Sequence, residues 1–293
     1  MVKLTEEIIK RHFKTKSYLH FDRRISFHNA KDYVTNPDKI ATHSFLPFLY
    51  YVSTSMKYTG EANEKLNNRP VKEKTREIMY AAHFDGFIYK YYSMKLNHKY
   101  NNLMCKTGLN LCSLAYRDNK PGEFNITFSA EVINSIVNYK NSYIVVGDFA
   151  NFFNNINHKM LKNKLLTCLS TDWMDKDWYN IFRSLTKYGY YEKEAINERL
   201  GSDKDLKRKK ASAYFKDINE FRKFQKNYRA HSNPHRRGIP QGTAMSGVLA
   251  NIAALDFDKE LKKLQTNIQV FIGDTQMILF LSFLKNSQML HLN

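Results

Sequence analysis

The sequence predicts an α+β fold, a small sheet backed by helices, and three observations carry that expectation. A run of consecutive apolar residues, Tyr143 to Val146, stops short of Asp148 as a short buried strand would. The segment from Ile268 to Phe280 reads as two more short strands around Gly273. Three stretches, 129–138, 158–168 and 246–264, place apolar residues at helical spacing. With 293 residues, 43% of them apolar and 14% aromatic, the chain can bury a sizeable core, which excludes disorder throughout.

Taken in order, Thr5 caps a moderately amphipathic helix running through Ile8, Ile9 and Phe13, and residues 1 to about 66 read as a helical extension with no visible chemistry. From Lys72 to Tyr100, Ile78, Ala82, Phe87 and Tyr91 recur at helical spacing, so a strand edge leads into a helix that ends in an Asn-Asn turn. Ser129 is placed as the cap of a helix with Val132, Ile133, Ile136 and Val137 on its apolar face, and Asn141 opens a turn before the first strand. Beyond Asp148 a polar stretch through Asn157 leads into a helix carrying Met160, Leu161, Leu165 and Leu166. After the turn at Pro240, a helix from Ser246 to about Leu264 buries Leu249, Ile252, Leu255 and Leu261. There is no internal repeat and no low-complexity linker.

Lys and Arg number 46 against 28 Asp and Glu, a net charge of +18, which calls for a polyanionic partner. Nucleic acid leads; an anionic membrane surface competes, but no apolar run spans a bilayer and no secretory leader follows Met1, so the expectation is a cytoplasmic protein. Cys105, Cys112 and Cys168 have no paired metal-ligand spacing and read as reduced core thiols. The most basic stretch, 201–237, holds Lys207, Arg208, Lys209 and Lys210 in one run, with Arg236 and Arg237 at its end. Tyr214, Phe215, Phe224 and Tyr228 are interleaved, which is a nucleic-acid surface pattern; a solvated helix face weighs about equally.

Nucleotidyl transfer needs two divalent cations held ~3.5–4 Å apart by hard oxygen ligands, and an Asp at the end of one core strand facing an Asp on a neighbouring hairpin supplies them. Asp148 and Asp274 occupy such settings, although a lone strand-end Asp is more often a cap or turn residue.

The segments around them narrow the reading. VVGDFANFFNNINHKML and RRGIPQGTAMSGVLANIAALDFDKEL resemble, respectively, the first palm motif and the Gly-Ile/Leu-Pro-Gln-Gly-Ser/Thr loop of bacterial reverse transcriptases of the retron and group II intron-like superfamily. Lys72, Lys74 and Arg76 resemble that family's basic fingers strand, and LAYRDNKPGEFNITF, with Tyr116 and Arg117, resembles the motif closing the fingers. The wording is most like the defence-associated branch, that of the abortive-infection and unknown-group enzymes. The resemblance covers roughly residues 67 to 280 and implies fingers and palm with a small antiparallel palm sheet. Its boundaries are a helical extension over 1–66, fingers with the start of the palm over 67–140, and palm over 141–280 with an insertion near 170–237. A short tail over 281–293 leaves no thumb.

The resemblance also implies roles. Asp148 and Asp274 would hold Mg²⁺, with Mn²⁺ as substitute; Lys72, Lys74, Arg76, Arg117, Gln241 and Gly242 would contact the nucleotide; Phe153 would check the sugar. Physically, Gly238 and Gly242 permit close backbone approach, Pro240 stiffens the loop and Gln241 offers both donor and acceptor. The partners implied are an RNA template or noncoding RNA, DNA product and deoxynucleoside triphosphates, with no membrane and with room for an oligomer, in anti-phage defence. A template-independent or protein-primed polymerase and a catalytically impaired RNA-binding protein are the alternatives. The last palm motif departs from the pattern: in VFIGDTQMILF, aligning Phe271 with the family's aromatic puts Gly273 at the first Asp position and Asp274 at the second. Aligning Ile272 instead makes Asp274 the first and Thr275 the second; the aromatic match favours the former.

Overall fold

The computed structural model describes residues 4–58, 71–110, 117, 125–138, 142–267, 270–275 and 278–284; side chains are outside the description for parts of 125–136, for 142–146 and 148, and beyond 263. The chain begins with three short helices, α1 (Glu6–His12), α2 (Phe27–Val34) and α3 (Pro37–Ala41), each capped by a side-chain oxygen, from Thr5, Ser26 and Asn36. The stretch expected to be helical then enters a strand, β1 (Phe48–Tyr58), which pairs antiparallel with β2 (Val71–Tyr80). The signal was a run of aromatic and β-branched residues, Phe48 to Thr54, which suits a pleated strand.

The long helix α4 (His83–Thr107) follows β2 and buries residues around most of its circumference, among them Phe87, Ile88, Tyr92, Leu96 and Tyr100. Asp22, far away in sequence, caps it by accepting from the His83 and Phe84 N–H groups at 3.0 and 2.8 Å. Gly108, at φ 68°, ends it with a left-handed cap. Helix α5 (Asn125–Asn138) starts four residues before the Ser129 cap expected, and it exposes Ile133 and Val137, which were assigned to its apolar face. Strand β3 (Ser142–Asp148) leads through α6 (Phe152–Asn155) to α7 (His158–Leu169), capped by Asn157, whose side chain accepts from Met160 N–H. Leu161 and Leu165 are buried as expected, whereas Met160 is exposed.

Helix α8 (Lys176–Thr186) precedes β4 (Gly189–Glu192), α9 (Lys193–Leu200), α10 (Asp203–Arg208), α11 (Ile218–Asn227) and β5 (His231–Ser232). Strands β4 and β5 extend the hairpin into a mixed sheet ordered β2-β1-β4-β5. Helix α12 (Ser246–Asn267) buries Leu249, Ile252, Leu255 and Leu261 as its pattern predicts. Strands β6 (Val270–Thr275) and β7 (Ile278–Leu284) complete a second, antiparallel sheet ordered β3-β7-β6. Gly273 lies inside β6, paired with Phe280, so the hairpin turn comes after Thr275 and not around Gly273.

Two cores result. The larger joins α1, α2, α4, α7, α8 and α12. The smaller gathers Leu19, Phe21, Leu49, Tyr191, Ile196, Tyr214, Phe215 and Phe221.

Candidate functional site

Three segments distant in sequence meet at one junction, and backbone hydrogen bonds hold them. The loop before α12 donates from Gly238 N–H to Ile156 O (2.9 Å) and from Ile239 N–H to Phe153 O (3.0 Å). In return, His158 N–H donates to Arg236 O (3.0 Å). His158 Nε2 also lies 2.7 Å from Gly238 O; a carbonyl can only accept, so the ring carries its proton there. On its other side the loop accepts from β2, Met79 N–H to Gln241 O at 2.8 Å.

The glycines are required by this stitching. Gly238 sits at φ 87°, and a Cβ there would come 3.2 Å from Asn154 O. Gly242 sits at φ 117°, where a Cβ would fall 2.9 Å from Met79 O and 3.1 Å from Ile78 Cγ2. Their freedom thus serves close approach of protein backbone to protein backbone. Ser246 braces the loop from within: its Oγ donates to Pro240 O (2.7 Å), and Thr243 N–H donates to it (3.2 Å).

The basic strand joins the same junction. Successive side chains alternate across a strand, so Lys72, Lys74 and Arg76, all exposed, share one face of β2 with Ile78, against which Gly242 packs. Glu77 points to the other face, where its carboxylate accepts from Asn154 Nδ2 (3.1 Å) and the Tyr50 hydroxyl (3.3 Å). Burial, and then the nearby Glu77 charge, raise the Tyr50 phenol above its ordinary pKa. Phe152 and Phe153 are partly buried against the larger core, and Gln241 is half-buried.

The carboxylates stand on the antiparallel sheet. Strand β7 separates their strands: Asp148 is in register with Ile278, itself paired with Thr275, while Asp274 is one row further in, opposite Leu279. The side chains of Asp148 and Asp274 are outside the described residues, as are Tyr116 and Cys112. Among the described residues no cluster of three His, Cys, Asp or Glu side chains could hold a metal, and no helix is long and apolar enough to cross a membrane.

Two groups of expected contacts look different in three dimensions. Arg117 is 9% exposed, and its guanidinium donates to Asn101 Oδ1 (2.8 Å) and Asn110 O (3.0 Å), clamping the end of α4. The aromatics interleaved with the basic run are interior: Tyr214 and Phe215 are buried, and Phe224 and Tyr228 pack against the smaller core. Lys207, Arg208, Lys209 and Lys210 remain exposed, as do Arg236 and Arg237 beside the junction. Among the thiols, Cys168 is buried, its pKa pushed up to about 12 by desolvation, but Cys105 is exposed.

No family model matches the chain, and no curated protein matches it. Among solved structures it is similar to apo telomerase from Candida tropicalis truncated from its C-terminal domain, at 12% identity and a TM-score of 0.44, over 95% of this chain and 54% of that one. It is also similar to telomerase from Candida albicans in complex with a TWJ fragment of telomeric RNA, at 10% identity and a TM-score of 0.41, over 95% of this chain and 46% of that one. The chain spans about half the length of both, and TM-scores under 0.5 do not establish a shared fold.

Proposed function

We propose that the chain is the fingers and palm of an RNA-directed DNA polymerase, and that the junction of β2, the segment after Asp148 and the 236–246 loop is its nucleotide site. One observation carries the reading: the three segments that resemble separate reverse-transcriptase motifs are stitched together by four backbone hydrogen bonds, Gly238 to Ile156, Ile239 to Phe153, His158 to Arg236 and Met79 to Gln241. In this reading Arg76 and Lys74, on the face of β2 that Gly242 packs against, grip the triphosphate, a bidentate fork beside a point charge. Gln241 positions the base, and Phe153, held through its carbonyl by Ile239, lies beneath the sugar.

Asp148 and Asp274 supply hard oxygen ligands suited to Mg²⁺. Their backbones stand two strand spacings apart, roughly 10 Å, a gap that two short side chains and a cation pair can bridge. Magnesium bound there would activate the 3′ hydroxyl and hold the triphosphate. Because the turn follows Thr275, Asp274 and Thr275 are the two residues nearest the hairpin tip. That favours aligning Asp274 with the family's first Asp, the reading in which the essential ligand is kept, over the alignment that the aromatic alone suggested. The setting the resemblance implies, anti-phage defence with a noncoding RNA, stays part of the proposal.

Primer extension on an RNA template with Mg²⁺ tests it. Deoxynucleotide incorporation is expected from the wild type, with a loss of at least a hundredfold in Asp148→Ala and in Asp274→Ala. Incorporation by Asp148→Ala at the wild-type rate would refute the assignment. A second reading has its own support, since only one carboxylate remains in the VFIGDTQMILF segment: an RNA-binding protein without polymerase activity. It predicts RNA binding with no incorporation by any variant, in Mg²⁺ or Mn²⁺.

A further inference from the structure

A cavity of ≈370 Å³ opens where the run from His12 to Tyr18, the first turns of α4, and Gly242 to Ala244 come together. Its frame is fixed. The Tyr18 hydroxyl donates to Ala81 O (2.8 Å), and its ring stacks on His83 with centroids 4.7 Å apart and planes 11° apart. Asp22 anchors the start of α4 from below.

What lines this frame is of one sign. His12, Lys14, Lys16 and Lys90 border the cavity and no carboxylate does. Lys14 and Lys16 are exposed and have no ion pair among the described residues. His83 is 4% exposed, and its Nε2 has no hydrogen-bond partner, which is uncommon for a buried polar atom. Burial lowers its pKa, so the ring is neutral, and a bond to the Tyr18 backbone engages the other nitrogen. Nε2 is therefore left as an acceptor awaiting a donor.

The wall thus asks for an anion at one end and an O–H or N–H at the other, and a bare anion meets only half of that. We propose that this cavity binds one nucleotide unit, with Lys14 and Lys16 on the phosphate and His83 Nε2 accepting from a sugar hydroxyl or base N–H. The volume lies within the range of small-ligand pockets. The unit belongs either to a free nucleotide or to a strand, and the proposal does not depend on catalysis at Asp148.

The test is equilibrium binding in EDTA, in an Asp148→Ala background, so that failure of the polymerase reading does not enter. The probes are inorganic phosphate, uridine 5′-monophosphate and a fluorescent 12-mer of oligouridylate. Uridine monophosphate should bind saturably and more tightly than phosphate, and K14Q/K16Q should weaken both at least tenfold. A control on exposed lysines elsewhere, K159Q/K176Q, should change either less than twofold. His83→Leu should weaken the nucleotide but not phosphate, and His83→Gln should restore part of the loss. Thermal melting of each variant confirms folding, and the exposed lysine pair carries the test if the His83 variants do not fold. A 12-mer that is weakened by K14Q/K16Q and displaced by uridine monophosphate identifies a strand as the source; a 12-mer indifferent to both identifies a free nucleotide. No saturable binding of either nucleotide probe, or equal losses in the two lysine double variants, overturns the proposal.

Discussion

The junction around Gly238 and Gly242 and the basic stretch from Lys207 to Tyr228 both invite a nucleic-acid reading, yet three-dimensional structure treats them in opposite ways. At the junction the motif residues come together as their order in sequence suggests, through hydrogen bonds that only backbone can make. In the basic stretch the aromatics turn inward to form a small core, and only the cations stay outside. The lesson is about what each signal constrains. Glycine and proline at fixed offsets specify a backbone path, whereas aromatics among lysines specify only that something apolar is covered, by a base or by the protein itself.

The largest expected effect tests the inward half of this contrast. Phe215→Ala, 6% exposed at present, should destabilise the fold by about 3–5 kcal/mol, read as a lower midpoint in urea denaturation. If Phe215 were instead a stacking platform, stability would hold within about 0.5 kcal/mol while RNA affinity fell, and the comparison would break.

Next in size is the backbone at the junction. Gly242→Ala adds a Cβ 2.9 Å from Met79 O at φ 117°, so a loss of at least ~2 kcal/mol is expected. Gly201→Ala is the reference, because it also sits at positive φ, 99°, but meets nothing closer than 3.8 Å. It should lose only ~1 kcal/mol from conformation alone. Equal losses at the two glycines would mean that the approach of the loop to β2 contributes nothing.

Much of this architecture was legible in the residues. The strand ending at Asp148, the helices after Asn157 and Ser246, and the Thr5 cap all follow from apolar period and capping chemistry, which are local. What escaped was set by tertiary packing. Strand β1 alternates Tyr, Ser and Thr with no buried face toward its tip, so its pattern does not announce a partner. Arg117 carries a charge that elsewhere would meet phosphate, and only the positions of Asn101 and Asn110 reveal that its donors are engaged within the protein. The turn after Thr275 escaped because Gly273 drew it forward, while strand pairing with Phe280 holds that glycine extended. The cavity beside His83 had no sequence signal, since its walls come from three distant segments.

A smaller effect sharpens the junction side. His158→Leu removes the donor to Gly238 O and should lower stability by about 1 kcal/mol, the typical net value of one hydrogen bond. Asn233 Nδ2, at 3.5 Å from the same oxygen, partly compensates. Hydrogen exchange at the Gly238 and Ile239 amides should rise in this variant while α11 amides stay unchanged. Faster exchange in α11 as well would join the two regions into one cooperative unit.

The smallest expected effect concerns the helices that carry the junction. Lys164 Nζ on α7 lies 3.0 Å from the Asp256 carboxylate on α12, and also donates to Ala253 O at 2.8 Å. The hydrogen bond to Lys164 holds Asp256 below the usual carboxylate pKa, and the neighbouring Lys charges act in the same direction. A group whose folded pKa is depressed stabilises the fold above its unfolded pKa, about 3.9, and loses that contribution as pH falls through the folded value. Asp256 is largely exposed, so screening limits the pair to at most ~1 kcal/mol. Asp256→Asn should therefore be slightly less stable than wild type at pH 7 and match it once the pH is well below about 4. A difference that persists in acid would place the effect in packing between α7 and α12, because a protonated Asp256 can no longer attract Lys164 as an ion.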